Sequence, residues 1–273
     1  STPKPSSAAS DVYKRQTRTR ISFELAQKRL SADTVNFSAS TSSLKKGESF
    51  KDTAQNIEAM KIDAVVMRHP SPGAPYHLKE FIDAKIINAG DGTHEHPTQA
   101  ILDMMSIQEK FGMIKGLNIA IIGDIYHSRV ARSNIYGLVT MGANVTVCGP
   151  PNLIPQEISE LGVNINYNID EVVEWADAVN VLRIQRERMG VGLIPSNREY
   201  RKLFGITNER MIRRKKELVI MHPGPMNRGV EIDSEVADSD QAIILDQVLN
   251  GVASRMSILY LLLGAKDGVK NED

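Results

Sequence analysis

The chain has one cysteine, Cys148, among 273 residues. No internal disulfide can form, and a reducing, cytoplasmic compartment is the expectation. Neither sign of charge is in excess, since 33 Lys and Arg balance 33 Asp and Glu. Nucleic-acid and membrane-surface proteins usually carry a basic surplus, so neither partner is expected. No apolar run is long enough to span a bilayer; residues 258–265 are too short and read as a buried terminal helix. The Gly-rich dinucleotide fingerprint is absent from the loop at Gly123, which disfavours a nicotinamide cofactor. His94 and His96 form an H-x-H pair, but no Cys or third His stands at ligand spacing. Neither a metal nor an organic cofactor is therefore expected.

What is present fits a globular α/β protein. Hydrophobic residues make up 41% and charged residues 24%, and the length suffices for two domains. Residues 1–16 have no apolar period and no signal-peptide core, and read as a disordered or non-native leader. From Thr17 onward helical and strand patterns alternate. Helices are expected at residues 21–30, 50–60, 75–82, 97–111, 128–141 and 169–176. Strands are expected at 34–37, 64–67, 84–89, 117–122, 144–148, 163–167, 178–182 and 218–221. A last helix, residues 239–263, is expected to break near Gly251, and two loops, 38–49 and 186–205, read as mobile. Short strands alternating with helices imply two doubly wound domains, each a parallel sheet flanked by helices. The terminal helix would return to the first domain, giving residues 17–108 plus 251–273 and residues 109–250 as the two domains.

The segment from Asp91 to Gln99 is where such a fold holds a ligand: a strand end, a Gly turn, and a helix with Pro97 in its first turn. His96 and Gln99 lie one helical turn apart and can face one pocket. Taken alone, His96 is as well explained by a capping or core role.

Other residues offer sites for anions. Thr17, Arg18, Thr19 and Arg20 open a helix, where hydroxyls, N–H groups and guanidinium suit a phosphate; a solvated basic turn is the plainer alternative. Arg68 precedes His69 and Pro70 at a strand end and is equally readable as a surface Arg. Arg129 and Arg183 each follow a strand, and two converging Arg side chains would suit a dicarboxylate, although singly each reads better as a surface charge.

Together these stretches match a family. Thr17 to Glu24, Ser42 to Glu48, Met67 to Pro70, His96 to Gln99 and His222 to Pro225 stand in one order that resembles the carbamoyltransferases, the aspartate-specific branch most closely. The resemblance covers residues 17–263. Ornithine enzymes usually carry Cys where Thr98 and Pro223 stand, which sets the acceptor apart. Gln16 departs from the family's Ser, and the segment normally preceding it is lacking.

The resemblance implies transfer of a carbamoyl group from carbamoyl phosphate to L-aspartate, a reaction of pyrimidine biosynthesis. It implies that Thr17, Arg18, Thr19 and Arg68 hold the phosphate, with Thr19, Arg68 and His96 polarising the carbonyl. Gln99 would accept from the carbamoyl NH2. Arg129, Arg183 and Gln185 would orient the aspartate carboxylates, and the backbone of Pro223, Gly224 and Pro225 would meet the amine. Ser42 and Lys46 would reach into a neighbouring chain's site, implying a homotrimer with shared sites. Regulatory chains or other pyrimidine-pathway enzymes stand open as further partners. Two readings of other classes remain at this point: a carbamoyltransferase fold that binds without catalysing, and a nucleotide-binding protein using the Gly123 loop. Ornithine is the alternative acceptor.

Overall fold

The computed structural model describes residues 17–36, 50–184, 196–214 and 216–264; of Thr17, Phe50 and Ile57 it describes the backbone alone. The expected leader, the loop carrying Ser42 and Lys46, Gln185 and residues 186–195 lie outside the described residues. The chain divides into two compact units, Ser1–Val65 with Leu78–Ile86 and Gly251–Asp273, and Val66–His77 with Ile87–Asn250.

The second unit is built on a parallel sheet of β3 (Asn118–Ile122), β4 (Asn144–Cys148), β5 (Asn164–Ile165), β6 (Ala178–Val181) and β7 (Val219–Met221), in the order β5-β4-β3-β6-β7. Two-residue alternation along the strands sorts their side chains into two cores. Ala120, Ile122, Cys148, Val179, Val181 and Ile220 belong to one, with α6 (Ile169–Trp175) and α7 (Asn197–Phe204). Ile119, Ile121, Val145, Val147, Ala178 and Met221 belong to the other, with α4 (Pro97–Phe111) and α5 (Arg129–Thr140). Both faces are therefore covered, which is why the strands read as continuous apolar runs. Cys148 lies inside the first core, where burial pushes its thiol up to about 12.

Local signals set the helix limits. Pro97 opens α4, and Gly112, at φ 75°, closes it with an N–H to the Gln108 carbonyl. Ser128 caps α5 by accepting from the Ala131 N–H, and Asn168 caps α6 by accepting from Asp170 and Glu171.

Three expectations fail. Residues 186–205 do not form one loop, because α7 occupies Asn197–Phe204. Ser196 accepts from the Glu199 N–H there, and Tyr200 and Phe204, one turn apart, are both buried. A further helix, α8 (Asn208–Arg213), follows it with Thr207 as its cap. Residues 34–36 form no strand; Val35 is 88% exposed, so alternation has nothing to bury against. The last helix, α10 (Ile244–Leu263), starts later than expected, after the short α9 (Ser234–Ala237), and runs unbroken through Gly251. The Gly251 carbonyl accepts from Arg255 Nη1 at 2.6 Å within that helix. One interior glycine costs about 1 kcal/mol, which neighbouring turns can absorb.

In the first unit, α1 (Thr17–Arg29) packs on the later part of α10: Arg255 Nη1 donates to Ser22 Oγ at 3.0 Å, and its guanidinium lies 5.2 Å from the Phe23 ring centroid. α2 (Phe50–Ala59) places Lys51 Nζ 5.9 Å from the Phe81 ring centroid. A two-stranded sheet pairs β1 (Ala64–His69) with β2 (Lys85–Asp91), and α3 (Ala74–Leu78) lies between them in sequence. No helix among the described residues is long and apolar enough to cross a membrane.

Ile121 is fully buried on the α4–α5 face. Ile121→Ala is expected to lower unfolding stability in urea by about 2–5 kcal/mol; a loss below about 1 kcal/mol would contradict this account of the core.

Candidate active site

The turn from Asp91 to His96 is organised by one carboxylate. Asp91 is 1% exposed. Its Oδ2 accepts from the Gly73 N–H at 2.7 Å and lies 3.0 Å from His94 Nδ1. Its Oδ1 accepts from Asn88 Nδ2 at 2.9 Å and from the Glu95 N–H at 3.1 Å. Burial pushes its pKa up, but the bonds from Asn88, Gly73 and His94 together outweigh burial and hold it below the ordinary carboxylate value. His94 is thereby engaged in shaping the turn. The next residue, Gly92, donates its N–H to the His69 carbonyl at 2.9 Å, which fastens the end of β1, and hence the segment carrying Arg68, to the turn.

This turn seats Arg129. Its guanidinium lies over Gly90, where an added Cβ would come within 2.9 Å of Cζ, and Nη1 donates to the Gly92 carbonyl at 3.3 Å. Gly90 has φ +118°, which L side chains rarely adopt. Arg129 is 6% exposed and is the first residue of α5, where the helix dipole is already positive. A cation at that end gains nothing from the helix dipole. In the first unit, α1 has the same bias: Arg18 and Arg20 stand in its first turn with no acidic residue. There Arg18 is exposed, Thr19 is half-buried, and Arg20 pairs with Glu24 at 2.7 Å.

His96 is the N-cap residue of α4 and is 5% exposed. Its backbone N–H donates to Ser133 Oγ of α5 at 2.9 Å, and its Nδ1 lies 3.5 Å from Thr98 Oγ1. One turn on, Gln99 is buried and its Nε2 donates to Asp103 Oδ1 at 2.9 Å. Asp103, fully buried, collects three more amides. Gln247 Nε2 reaches Oδ1 at 2.7 Å, while Asn134 and Asn180 Nδ2 reach Oδ2 at 2.8 and 3.1 Å. Burial raises the Asp103 pKa, and the four amide donors oppose it.

The remaining candidate residues follow the carboxyl ends of neighbouring strands. β3 lies at the centre of the sheet, with β4 on one side and β6 on the other, and ligands of open α/β sheets sit where the winding reverses. The strand ends align, Ile122 pairing with Val181 and Asn180 with Met221. Arg129 follows β3, half-buried Arg183 follows β6, and His222 to Pro225 follow β7. Asn227 Nδ2 donates to the Ile184 carbonyl at 3.0 Å, tying the last two segments together. His222 is buried; its Nδ1 accepts from the Gly224 N–H at 2.8 Å, which puts the ring proton on Nε2, 3.2 Å from Glu231 Oε1. The His222 N–H donates to Gln247 Oε1 at 2.9 Å. Pro223 and Gly224 are half-buried and Pro225 is exposed.

Within the second unit, then, Arg129 and the Arg68 segment share the Gly92 turn, while His96, Gln99 and the His222 to Pro225 turn are joined through α5 and the Asp103 amides. Thr17, Arg18 and Thr19 belong to the first unit. The sequence alone does not single out Ser133, Asp103, Asn134, Asn180, Gln247 or Glu231. The Gln99–Asp103 spacing of four residues on one helix was the available signal.

Asp91 contributes stability that is present above the unfolded carboxylate pKa and lost as pH falls through its lower folded value. Asp91→Asn is therefore expected to be less stable than the parent at neutral pH, with the gap closing below about pH 4. Urea titrations at several pH values test this, and a constant gap would refute it.

Comparisons with known proteins identify the family. The family described as "Aspartate/ornithine carbamoyltransferase, carbamoyl-P binding domain" matches residues 5–109, and its "Asp/Orn binding domain" matches residues 115–262. The chain is 58% identical over 254 residues to the aspartate carbamoyltransferase catalytic subunit of Gemmatimonas aurantiaca, covering 93% of this chain and 80% of that protein. It is 59% identical over 250 residues to that of Christiangramia forsetii, covering 92% and 81%. Aspartate transcarbamoylase from Trypanosoma cruzi in complex with carbamoyl phosphate superposes with a TM-score of 0.80 at 32% identity, covering 91% of this chain and 80% of that one. Ornithine carbamoyltransferase from Pyrococcus furiosus gives 0.80 at 28% identity, covering 94% and 83%. With both family domains matched across most of its length, the chain belongs to the aspartate/ornithine carbamoyltransferase family.

Proposed function

We propose that this chain transfers the carbamoyl group of carbamoyl phosphate to the amine of L-aspartate, giving N-carbamoyl-L-aspartate and phosphate, a step of pyrimidine biosynthesis. The observation that carries this reading is the identity of 58–59% to aspartate carbamoyltransferase catalytic subunits over more than nine-tenths of the chain. Thr98 and Pro223, where ornithine enzymes usually have Cys, favour aspartate over ornithine.

Carbamoyl phosphate is assigned to residues 17–108 with 251–273, and aspartate to residues 109–250. Thr17, Arg18 and Thr19 take the phosphate through helix N–H groups, hydroxyls and the guanidinium, with Arg68 adding charge-assisted bonds. Thr19, Arg68 and His96 donate to the carbonyl oxygen as it gains negative charge. Gln99 accepts from the carbamoyl NH2. Arg129, Arg183 and Gln185 hold the two carboxylates, and carbonyls of Pro223, Gly224 and Pro225 meet the amine. The amine nitrogen then attacks the carbamoyl carbon, the tetrahedral intermediate expels phosphate, and the departing phosphate accepts the amine's proton. Orientation of two small reactants is worth up to about 7–11 kcal/mol, so positioning supplies much of the rate.

Ser42 and Lys46 act in a neighbouring chain's site, making the working assembly a homotrimer, cytoplasmic and open to further protein partners. Arg68→Ala is expected to lower kcat by about 10²–10³-fold or more with the circular-dichroism spectrum unchanged. Product formation near the parent rate would remove Arg68 from the phosphate site. Lys46→Ala and Arg68→Ala chains, each inactive, are expected to regain about a third of a parent trimer's activity per mixed trimer, since one site in each is then intact. Isolated mixed trimers without activity would refute sharing.

A further inference from the structure

Asp103 carries a role that its burial alone does not require. A carboxylate sealed from water is usually paired with a cation or left protonated. Here the four hydrogen bonds to its oxygens come from carboxamides, two on each oxygen and each from a different side chain: Gln99 and Gln247 on Oδ1, Asn134 and Asn180 on Oδ2. All four amides turn their NH2 inward, and the carboxyl oxygens accept. For Gln247 and Asn134 a second bond fixes that orientation independently. Gln247 Oε1 accepts from the His222 N–H at 2.9 Å, which a backbone amide can only donate. Asn134 Nδ2 also donates to the Val130 carbonyl at 3.1 Å, which can only accept. The carbonyl oxygens of Asn134 and Asn180 are left without a partner among the described residues, a cost accepted to bring both NH2 groups onto Asp103.

For Gln99 the consequence is chemical. With its NH2 committed to Asp103, the end left for a ligand is Oε1, an acceptor. We propose that Asp103 is a positioning residue for the carbamoyl half of the substrate: it locks Gln99 with Oε1 available to the carbamoyl NH2 and, through Gln247, holds the backbone of the His222 to Pro225 turn. A free glutamine would offer donor and acceptor equally; this one discriminates for an NH2 and against a group that cannot donate. The inference rests on the carbamoyl-transfer reading and adds to it the residue that makes the site selective for a carbamoyl group over an acyl group.

The test uses three ligands that share a phosphate: carbamoyl phosphate, acetyl phosphate, which carries a methyl in place of the NH2, and inorganic phosphate. Affinities are measured by calorimetry for the parent, D103N, Q99E and the Q99E/D103N swap. In D103N the new amide competes with Gln99 for donor and acceptor places, so Gln99 turns its NH2 outward. Carbamoyl phosphate is expected to bind about 10- to 100-fold more weakly, with acetyl phosphate and inorganic phosphate within about twofold of the parent. A structural role alone would weaken all three together. The swap puts a carboxylate at position 99, which accepts through one oxygen from the amide introduced at position 103 and presents the other oxygen to the ligand. It is expected to bind carbamoyl phosphate at least about tenfold more tightly than Q99E, in which two carboxylates face each other. Equal losses for all three ligands, or none, would overturn the proposal. If D103N does not fold, the swap decides: affinity no better than that of Q99E overturns it. Parent protein that makes no carbamoyl-aspartate overturns the functional reading first, whereas an active parent with an unselective D103N overturns the Asp103 proposal alone.

Discussion

A buried carboxylate with four amide donors is the interaction on which the second unit's site geometry depends. Asp103 lies on α4, and its donors come from α4, α5, β6 and α10. Any of those elements that shifted would strand a buried polar group in a dry interior, where unpaired groups are costly. The network therefore holds the α4 N-terminus, with His96 and Gln99, in register with the turn after β7. Asp91 performs the corresponding task on the other side, closing the turn over which Arg129 lies. Two sealed carboxylates thus fix the groups that face the ligand, and neither touches it in the proposed assignment.

The sheet supplies the second constraint. The strand order β5-β4-β3-β6-β7 reverses at β3, and open α/β sheets hold ligands beyond the carboxyl ends of the strands at such a point. Within the second unit, Arg129 and Arg183 follow β3 and β6. Arg129 opens α5 against the helix dipole, as Arg18 and Arg20 open α1. Cations placed at helix starts gain nothing from the helix dipole, and the proposed substrates bring a phosphate and two carboxylates.

Much of this was legible in the sequence where one residue type dictates one local outcome. Pro97 and Gly112 delimit α4, Ser128 caps α5, and the apolar runs of β3 and β4 admit little besides a buried strand. His96 and Gln99 stood out through their place at a helix start. The errors arose where a local cue met tertiary packing. Gly251 suggested a break that α10 does not make. Polarity suggested a loop over residues 197–204, although Ser196, Glu199, Tyr200 and Phe204 spell a capped, half-buried helix. The Asp103 network was illegible for a different reason. Gln247 lies 144 residues from its partner and Asn180 lies 77 away, and no spacing rule links them. Only the fold brings these amides together, whereas Gln99 and Asp103, four apart on one helix, could have been paired in advance.

The activity and its acceptor are measured most directly as product formation by the parent chain from carbamoyl phosphate, with L-aspartate and L-ornithine supplied in parallel. N-carbamoyl-L-aspartate and phosphate are expected in equal amounts, with no citrulline above background. Turnover of ornithine in preference to aspartate, or release of phosphate without either carbamoylated product, would contradict the proposed function.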